Sequence, residues 1–386
     1  MNVIFLSPSA TPNHHKFCVR LKEKGVNVLG LGDEPYEYLH HELKSALTEF
    51  YKVDNLHNYH DLVRALGYLT FKYGKIDRID SLNEYWLETE AKLRTDFNIP
   101  GIKLDTIYNI KRKSLMKKIY EGAGLPVAPG ALVHSLNDAR ALIHKTGYPV
   151  VAKPDIGVGA LSTYKIHNEE ELTNFFSTKP AEEYIMEAFI NGTICSFDGL
   201  ADREGTPVFY TSHEYSRGVM ETVNDALDMY YFSHREIPPL LEATGLKTLG
   251  AFNVRERFFH FEFFRTDTGY YVPLEVNIRP PGGYTTDMFN YAADFDVYDI
   301  WAELLVKGSV KVEYQRKYHC CYVSRKANIS YKHAHDVIIK KYGDVVLARV
   351  SVPGVFSTAL GNEGYLLRTK EQNEMIKIAE YIHQRQ

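Results

Sequence analysis

A chain of 386 residues is too long for one ordinary hydrophobic core, so two to four folding units are expected. Hydrophobic residues at 45% and charged residues at 24% give the balance of a soluble globular protein, and a net charge of -4 speaks against gripping nucleic acid through bulk positive charge. Four cysteines without C-x-x-C or H-E-x-x-H spacing argue against a disulfide framework or a zinc site, and no run nears the roughly 18 apolar residues of a membrane span, so the cytoplasm is the expected location.

Residues 3–6 form an apolar run that ends at Ser7-Pro8, which reads as a buried strand rather than the apolar core of a signal peptide. Helical spacing follows over residues 15–24, Gly25 ends it, and residues 26–30 read as a second strand. Helices around Leu43 and Leu62 and a strand at 76–79 continue the alternation, which implies a parallel sheet with crossover helices. A dinucleotide fingerprint would need G-x-G-x-x-G after the first strand, but the turn at 7–12 has no glycine. A second unit starts near Thr106, with a helix over 110–121 stopped by Gly122-Ala123-Gly124-Leu125-Pro126. Short strands and one helix reach about residue 179, and from Tyr184 the pattern is mostly strand, with turns at Asn191-Gly192, 203–205 and 267–269. A helix over about 291–306 closes this part, and residues 311–386 mix strands with a final helix.

The chemistry concentrates in residues 258–264 and 270–279, two strands joined by a turn at Thr268-Gly269. A hairpin centred there sets Glu262 directly opposite Glu275, and Glu275, Asn277 and Arg279 fall at i, i+2 and i+4 on one face. Facing carboxylates destabilise a sheet unless a cation sits between them, and two carboxylates with an amide are oxygen donors suited to magnesium. Arg279 on that face would meet developing phosphate charge. The plain alternative is an exposed amphipathic hairpin with its charges toward water. The following Pro280-Pro281-Gly282-Gly283 loop favours a ligand, because paired glycines let backbone approach it closely.

With its E-x-N-x-R strand and glycine pair, the chain resembles the ATP-grasp superfamily, and other segments fit in order. The segment 148–154, with Lys153, looks like the strand whose lysine reaches ATP phosphates. Gly157 and Gly159 would belong to the glycine-rich flap, and Lys113, at the start of a helix, looks like the first nucleotide lysine. Residues 184–192 look like the adenine linker, where Glu187 and the backbone near Phe189 and Ile190 would contact the base. The resemblance implies that Glu262, Glu275 and Asn277 bind magnesium, with manganese a substitute, and that Arg279 contacts the phosphoryl and acyl phosphate groups.

The implied fold combines α/β and α+β parts. A parallel α/β domain covers residues 1–105, an ATP-grasp domain 106–305 with its lid at about 125–185, and a small accessory region 306–386. Two positions depart from the pattern: Ile194 stands where a ribose-binding glutamate is common, and the flap lacks an arginine and a further glycine.

The implied activity is that of an ADP-forming carboxylate–amine ligase, which uses ATP and Mg²⁺ to make an acyl phosphate that an amine then captures. The expected partners are small-molecule carboxylates and amines, with neither nucleic acid nor membrane, and homodimerisation is left open. A bicarbonate-activating carboxylase and a nucleotide-binding regulatory module without turnover are the rival readings. Around the substrate, His260 shares a face with Glu262, Gly282 and Gly283 adjoin Arg279, and His213, Glu214 and Arg217 are read as pocket lining. Asp287 reads equally as helix-start structure or substrate contact. Lys111, Arg112, Lys117 and Lys118 read as a solvated helix face, and His14, His15, His40 and His41 as surface or satisfied histidines.

Overall fold

The computed structural model describes residues 1–157, 162–218, 222, 227–352 and 354–386, with the backbone alone at 355 and 356. Strands β1 (Asn2–Leu6), β2 (Asn27–Gly32), β3 (Glu49–Lys52) and β4 (Arg78–Asp80) form a parallel sheet in the order β3-β2-β1-β4. Parallel neighbours need crossovers, and helices His14–Glu23, His41–Ala46 and Tyr59–Tyr73 supply them. Helix Tyr59–Tyr73 buries Leu62, Ala65, Leu66 and Leu69, a stripe at helical spacing that packs with Ile4, Leu29 and Ile79. Burial is worth roughly 1.5–3 kcal/mol per leucine, enough to fix which face meets the sheet.

A second, antiparallel sheet in the order β5-β8-β6-β7 joins β5 (Gly130–Val133), β6 (Val150–Pro154), β7 (Tyr164–Ile166) and β8 (Tyr184–Ala188). Helices Leu136–Thr146 and Glu169–Thr178 bury Ala139, Leu172 and Phe175 against it. The first helix starts with a capping box, in which Ser135 and Asp138 satisfy each other's backbone N–H groups.

The third sheet has eight strands in the order β13-β12-β9-β10-β11-β14-β16-β15. They are β9 (Thr193–Ala201), β10 (Pro207–Tyr215), β11 (Tyr230–Ser233), β12 (Arg257–Arg265), β13 (Tyr271–Asn277), β14 (His319–Arg325), β15 (Val346–Ser351) and β16 (Glu363–Thr369). The last three come from residues 306–386, so the end of the chain extends the sheet that carries the hairpin.

Helix Pro239–Ala251 packs on one face, an element that the strand-like reading of this region does not anticipate. A Cβ on its Gly245 would lie 2.3 Å from the Phe197 ring, so only glycine lets the helix sit this close to β9. The single helix expected near the end of this part is two, Thr285–Ala293 and Val297–Lys307. Asp294 takes a left-handed φ of 53°, and the Asp296 side chain accepts from the N–H groups of Tyr298 and Asp299, which starts the second helix afresh. Among the described residues no helix is long and apolar enough to cross a membrane.

Candidate functional site

The β12–β13 hairpin forms with the expected register: Glu262 pairs with Glu275, and His260 with Asn277. Alternation along β12 sends Phe259, Phe261 and Phe263 into the core beneath helix Pro239–Ala251. Phe258, His260 and Glu262 take the other face, where Phe258 packs with the N-terminal unit. On β13, Val276 joins the first core, so Glu275 and Asn277 share the face of Glu262. Nearer the turn the pairing is one residue out of that register, with Phe263 opposite Pro273 and Arg265 opposite Tyr271, and a bulge between Phe263 and Glu262 brings the two carboxylates face to face.

The facing acids are driven apart electrostatically. Glu275 sits 3.0 Å from Lys113 Nζ. Burial works against its charge, but Lys113 prevails and holds its carboxyl below the usual range. Glu262 has no such lysine, so burial pushes it up and the charge of Glu275 adds to that rise. His260 and Arg279 oppose that rise without cancelling it. The donor set of two carboxylates and the Asn277 amide oxygen fits a hard cation such as Mg²⁺.

Strand β13 ends at Asn277, so Arg279 lies in the following loop rather than on the strand. It still turns to the same side: its Nη2 is 3.5 Å from Asn277 Oδ1, and its Nε is 3.7 Å from Glu84 Oε2. Glu84, which the sequence reading does not select, also takes Lys111 at 2.9 Å, and both are buried. His260 donates its Nδ1–H to the Asp198 carboxylate, and its Nε2 lies 3.7 Å from Glu262. Burial opposes its charge, but Asp198 outweighs that and raises its pKa. His213 is fully buried against the other oxygen of Asp198 at 2.7 Å, which makes it an internal residue rather than pocket lining. Glu214 pairs instead with Arg265 at 2.8 Å and His234 at 3.4 Å.

Lys113 begins helix Lys113–Gly122, and Asp155 fixes that start relative to β6. Asp155 accepts from the Ser114 N–H at 2.8 Å and hydroxyl at 3.0 Å, and its carbonyl accepts from the Lys113 N–H. A carboxylate at a helix start also suits the helix dipole. Lys153, on β6, and Lys117, on the helix, meet across Glu187: its oxygens lie 2.7 Å from Lys153 and 2.6 Å from Lys117. Burial opposes the charge on Glu187, yet the lysines bring its pKa down to about 2. Lys117 also donates to the Ala128 carbonyl. The solvated-face reading of Lys111 and Lys117 is therefore corrected, since both are drawn inward by acids distant in sequence.

The Phe189 N–H is taken by the Pro149 carbonyl at 3.1 Å, and the Lys165 ammonium lies 3.6 Å from the Phe189 ring centroid. Ile190 directly follows in the loop after β8. Ile194 is buried opposite Phe264, and its side chain has no polar atom to offer a ribose. Gly157 is described, while Gly159 lies outside the described residues. Gly282 faces open space, and Gly283 has a φ of 65°. Arg217 is exposed and lines a cavity of about 550 Å³ with Tyr230, His383 and Arg385. His15, His40 and Glu42 come together, with His15 Nε2 3.2 Å from the Glu42 carboxylate.

A family model described as an ATP-grasp domain matches residues 146–287. The L-arginine-specific L-amino acid ligase of Bacillus subtilis is 25% identical over 254 residues, a match spanning 62% of this chain and 60% of that relative's length. An L-amino acid ligase from Bacillus licheniformis superposes with a TM-score of 0.75 at 14% identity, over 99% of this chain and 96% of that one. N5-carboxyaminoimidazole synthetase from Staphylococcus aureus, solved with ADP, gives a TM-score of 0.73 at 17% identity, over 97% and 95%. At these identities the structural likenesses establish the fold.

Proposed function

This chain carries an ATP-grasp domain in an ATP-grasp fold, and we propose that it is an ADP-forming ligase that joins a small-molecule carboxylate to an amine. The observation that carries the reading is the register that sets Glu262 against Glu275, with Lys113 neutralising only one of them. Its similarity to an L-amino acid ligase points the same way.

In this reading Glu262, Glu275 and Asn277 would hold Mg²⁺, which when bound supplies positive charge to the phosphate oxygens. Lys113 and Lys153 would turn from their glutamates to neutralise ATP phosphates, while Glu187 and the backbone at Phe189 and Ile190 border the base. Arg279, oriented by Glu84 and Asn277, stabilises charge as the substrate carboxylate takes the γ-phosphoryl group and releases ADP. It acts again when the amine nitrogen attacks the acyl carbon, the bond to phosphate breaks and the amine loses its proton. His260, Gly282 and Gly283 border the acyl group, and the flap around Gly157 and Gly159 excludes water that would hydrolyse the intermediate. The division near residues 105 and 305 and a cytoplasmic location belong to the same proposal.

The test is Mg²⁺-dependent ADP release across a panel of acids and amines, run with Glu275→Gln and Arg279→Ala beside wild type. Amide formation with ADP and phosphate supports the reading. ADP release that depends on bicarbonate alone would transfer the site to a carboxylase, AMP production would refute the acyl phosphate route, and nucleotide binding without turnover would favour a regulatory module.

A further inference from the structure

We propose that Asn13 and Asp287 are positioning residues that lock the Gly282-Gly283 loop to the N-terminal unit, so that the acyl side of the site is complete only when that unit is docked. The inference rests on the proposed role of the loop after Arg279, but the contacts themselves are independent of it.

Asn13 immediately precedes helix His14–Glu23, where an asparagine ordinarily turns its oxygen back to the first-turn N–H groups. It makes no such bond. Its oxygen accepts from the Thr11 hydroxyl at 3.2 Å, and its amide nitrogen is spent on residues 270 or more positions away. That nitrogen lies 3.3 Å from the Gly283 carbonyl, 2.8 Å from Thr286 Oγ1 and 3.1 Å from Asp287 Oδ2. Two N–H groups thus serve three acceptors, all within the loop and the first turn of helix Thr285–Ala293. The other oxygen of Asp287 accepts from Lys16 Nζ at 2.6 Å and from the Tyr298 hydroxyl at 3.0 Å. A buried carboxylate tied to a lysine and an amide is a charge-assisted junction, stronger than neutral hydrogen bonds of the same number.

The far side of the loop is held by its own first helical turn, by β11 and by the end of β15. Thr285 donates to the Gly282 carbonyl at 2.8 Å and meets the Tyr231 hydroxyl on β11, and the Tyr284 hydroxyl donates to Ser351 at the end of β15. Without Asn13 and Lys16 the loop would lose its bonds to the N-terminal unit and keep only these and the ones that Tyr298 makes to Thr286 and Asp287. Next to Asn13, the buried His14 has an unpartnered Nδ1 and lies near enough to Arg279 for that charge, after burial and His15, to depress its pKa. The Asn13 turn therefore borders both the arginine and the loop that follows it. Displacing a substrate-positioning loop by about 1 Å can cost on the order of a hundredfold in rate.

The variants are Asn13→Ala, Asn13→Asp and the exchanged pair Asn13→Asp/Asp287→Asn. Since Asn13 caps no bond of its own helix, Asn13→Ala should keep the fold, which its melting temperature checks. Two readouts are taken: deuterium uptake of residues 280–287, and kcat and KM for ATP with the best acid–amine pair. Asn13→Ala and Asn13→Asp are expected to speed exchange in this segment and to lower kcat roughly tenfold or more at unchanged KM for ATP. The exchanged pair, which restores an amide-to-carboxylate bond with its direction reversed, is expected to recover part of both losses.

Wild-type exchange in both single variants would overturn the lock. Faster exchange with unchanged kcat would overturn the positioning role. If wild type ligates no pair, the functional reading fails, and the exchange data still decide whether the lock exists. If Asn13→Ala unfolds, the exchanged pair decides: recovery of protection supports the lock, and its absence refutes it.

Discussion

Replacing Glu187 by glutamine probes a junction where one acid holds two lysines. The carboxylate is bound by Lys117 at 2.6 Å and Lys153 at 2.7 Å, and its pKa falls from 4.5 to about 2. At ~1.4 kcal/mol per unit, that drop is worth about 3 kcal/mol in favour of the charged form. The sign is that of a depressed acid: the stabilisation is fully present above pH 4.5 and is lost as pH falls toward 2. Glu187→Gln also leaves two buried ammonium groups against a neutral amide, and breaking buried pairs of this kind typically costs ~3–5 kcal/mol. Urea unfolding at pH 7 should therefore show a loss of about 3 kcal/mol. Lys117→Met should lose less, because Lys153 still pairs with the acid. A loss below about 1 kcal/mol for Glu187→Gln, within the range of ordinary surface substitutions, would refute the reasoning.

Three further outcomes follow from the same geometry. His14 is held neutral by burial and nearby positive charge, with a pKa of about 3 against the ordinary 6.5. The unfolded chain thus binds the extra proton between those values, and each pH unit lost below 6.5 costs up to ~1.4 kcal/mol. His14→Phe, which keeps a ring beside Phe5 and Phe17, should flatten stability between pH 6.5 and 4 in denaturant titrations, and an unchanged slope would contradict the assignment. Glu275→Gln and Arg279→Ala should each cut ligation at least ~100-fold, a loss of ~2.7 kcal/mol in transition-state binding, with the circular dichroism spectrum retained. Gly283→Ala combines a φ of 65° with a Cβ 2.7 Å from Leu360, so it should lower the melting temperature and deuterium protection of residues 280–287 together.

The hairpin itself was legible because its signals are local, strand periods on either side of a Thr-Gly turn; the bulge between Phe263 and Glu262, which moves the pairing by one residue and so sets Glu262 against Glu275, was not. The parallel N-terminal sheet was legible for the same kind of reason, strand and helix periods alternating over a short stretch. Lys111 and Lys117 were not, since a lysine on a helix carries no mark of whether a buried acid awaits it. Their acids are Glu84, 27 residues upstream, and Glu187 on β8. Asp155 and Asn13 escaped likewise, because Asn13 looks like a helix cap and acts on residues 283–287 instead. The break at Asp294 needed a left-handed residue that sequence spacing does not reveal, and the joining of β14, β15 and β16 to the hairpin sheet is a pairing over long sequence separation.

Manganese binding read by electron paramagnetic resonance in the presence of ADP tests the proposed cation site most directly. Wild type should bind Mn²⁺ with the nucleotide, and Glu262→Gln/Glu275→Gln should weaken that binding at least tenfold, about 1.4 kcal/mol. Wild-type affinity in the doubly substituted protein would contradict the account.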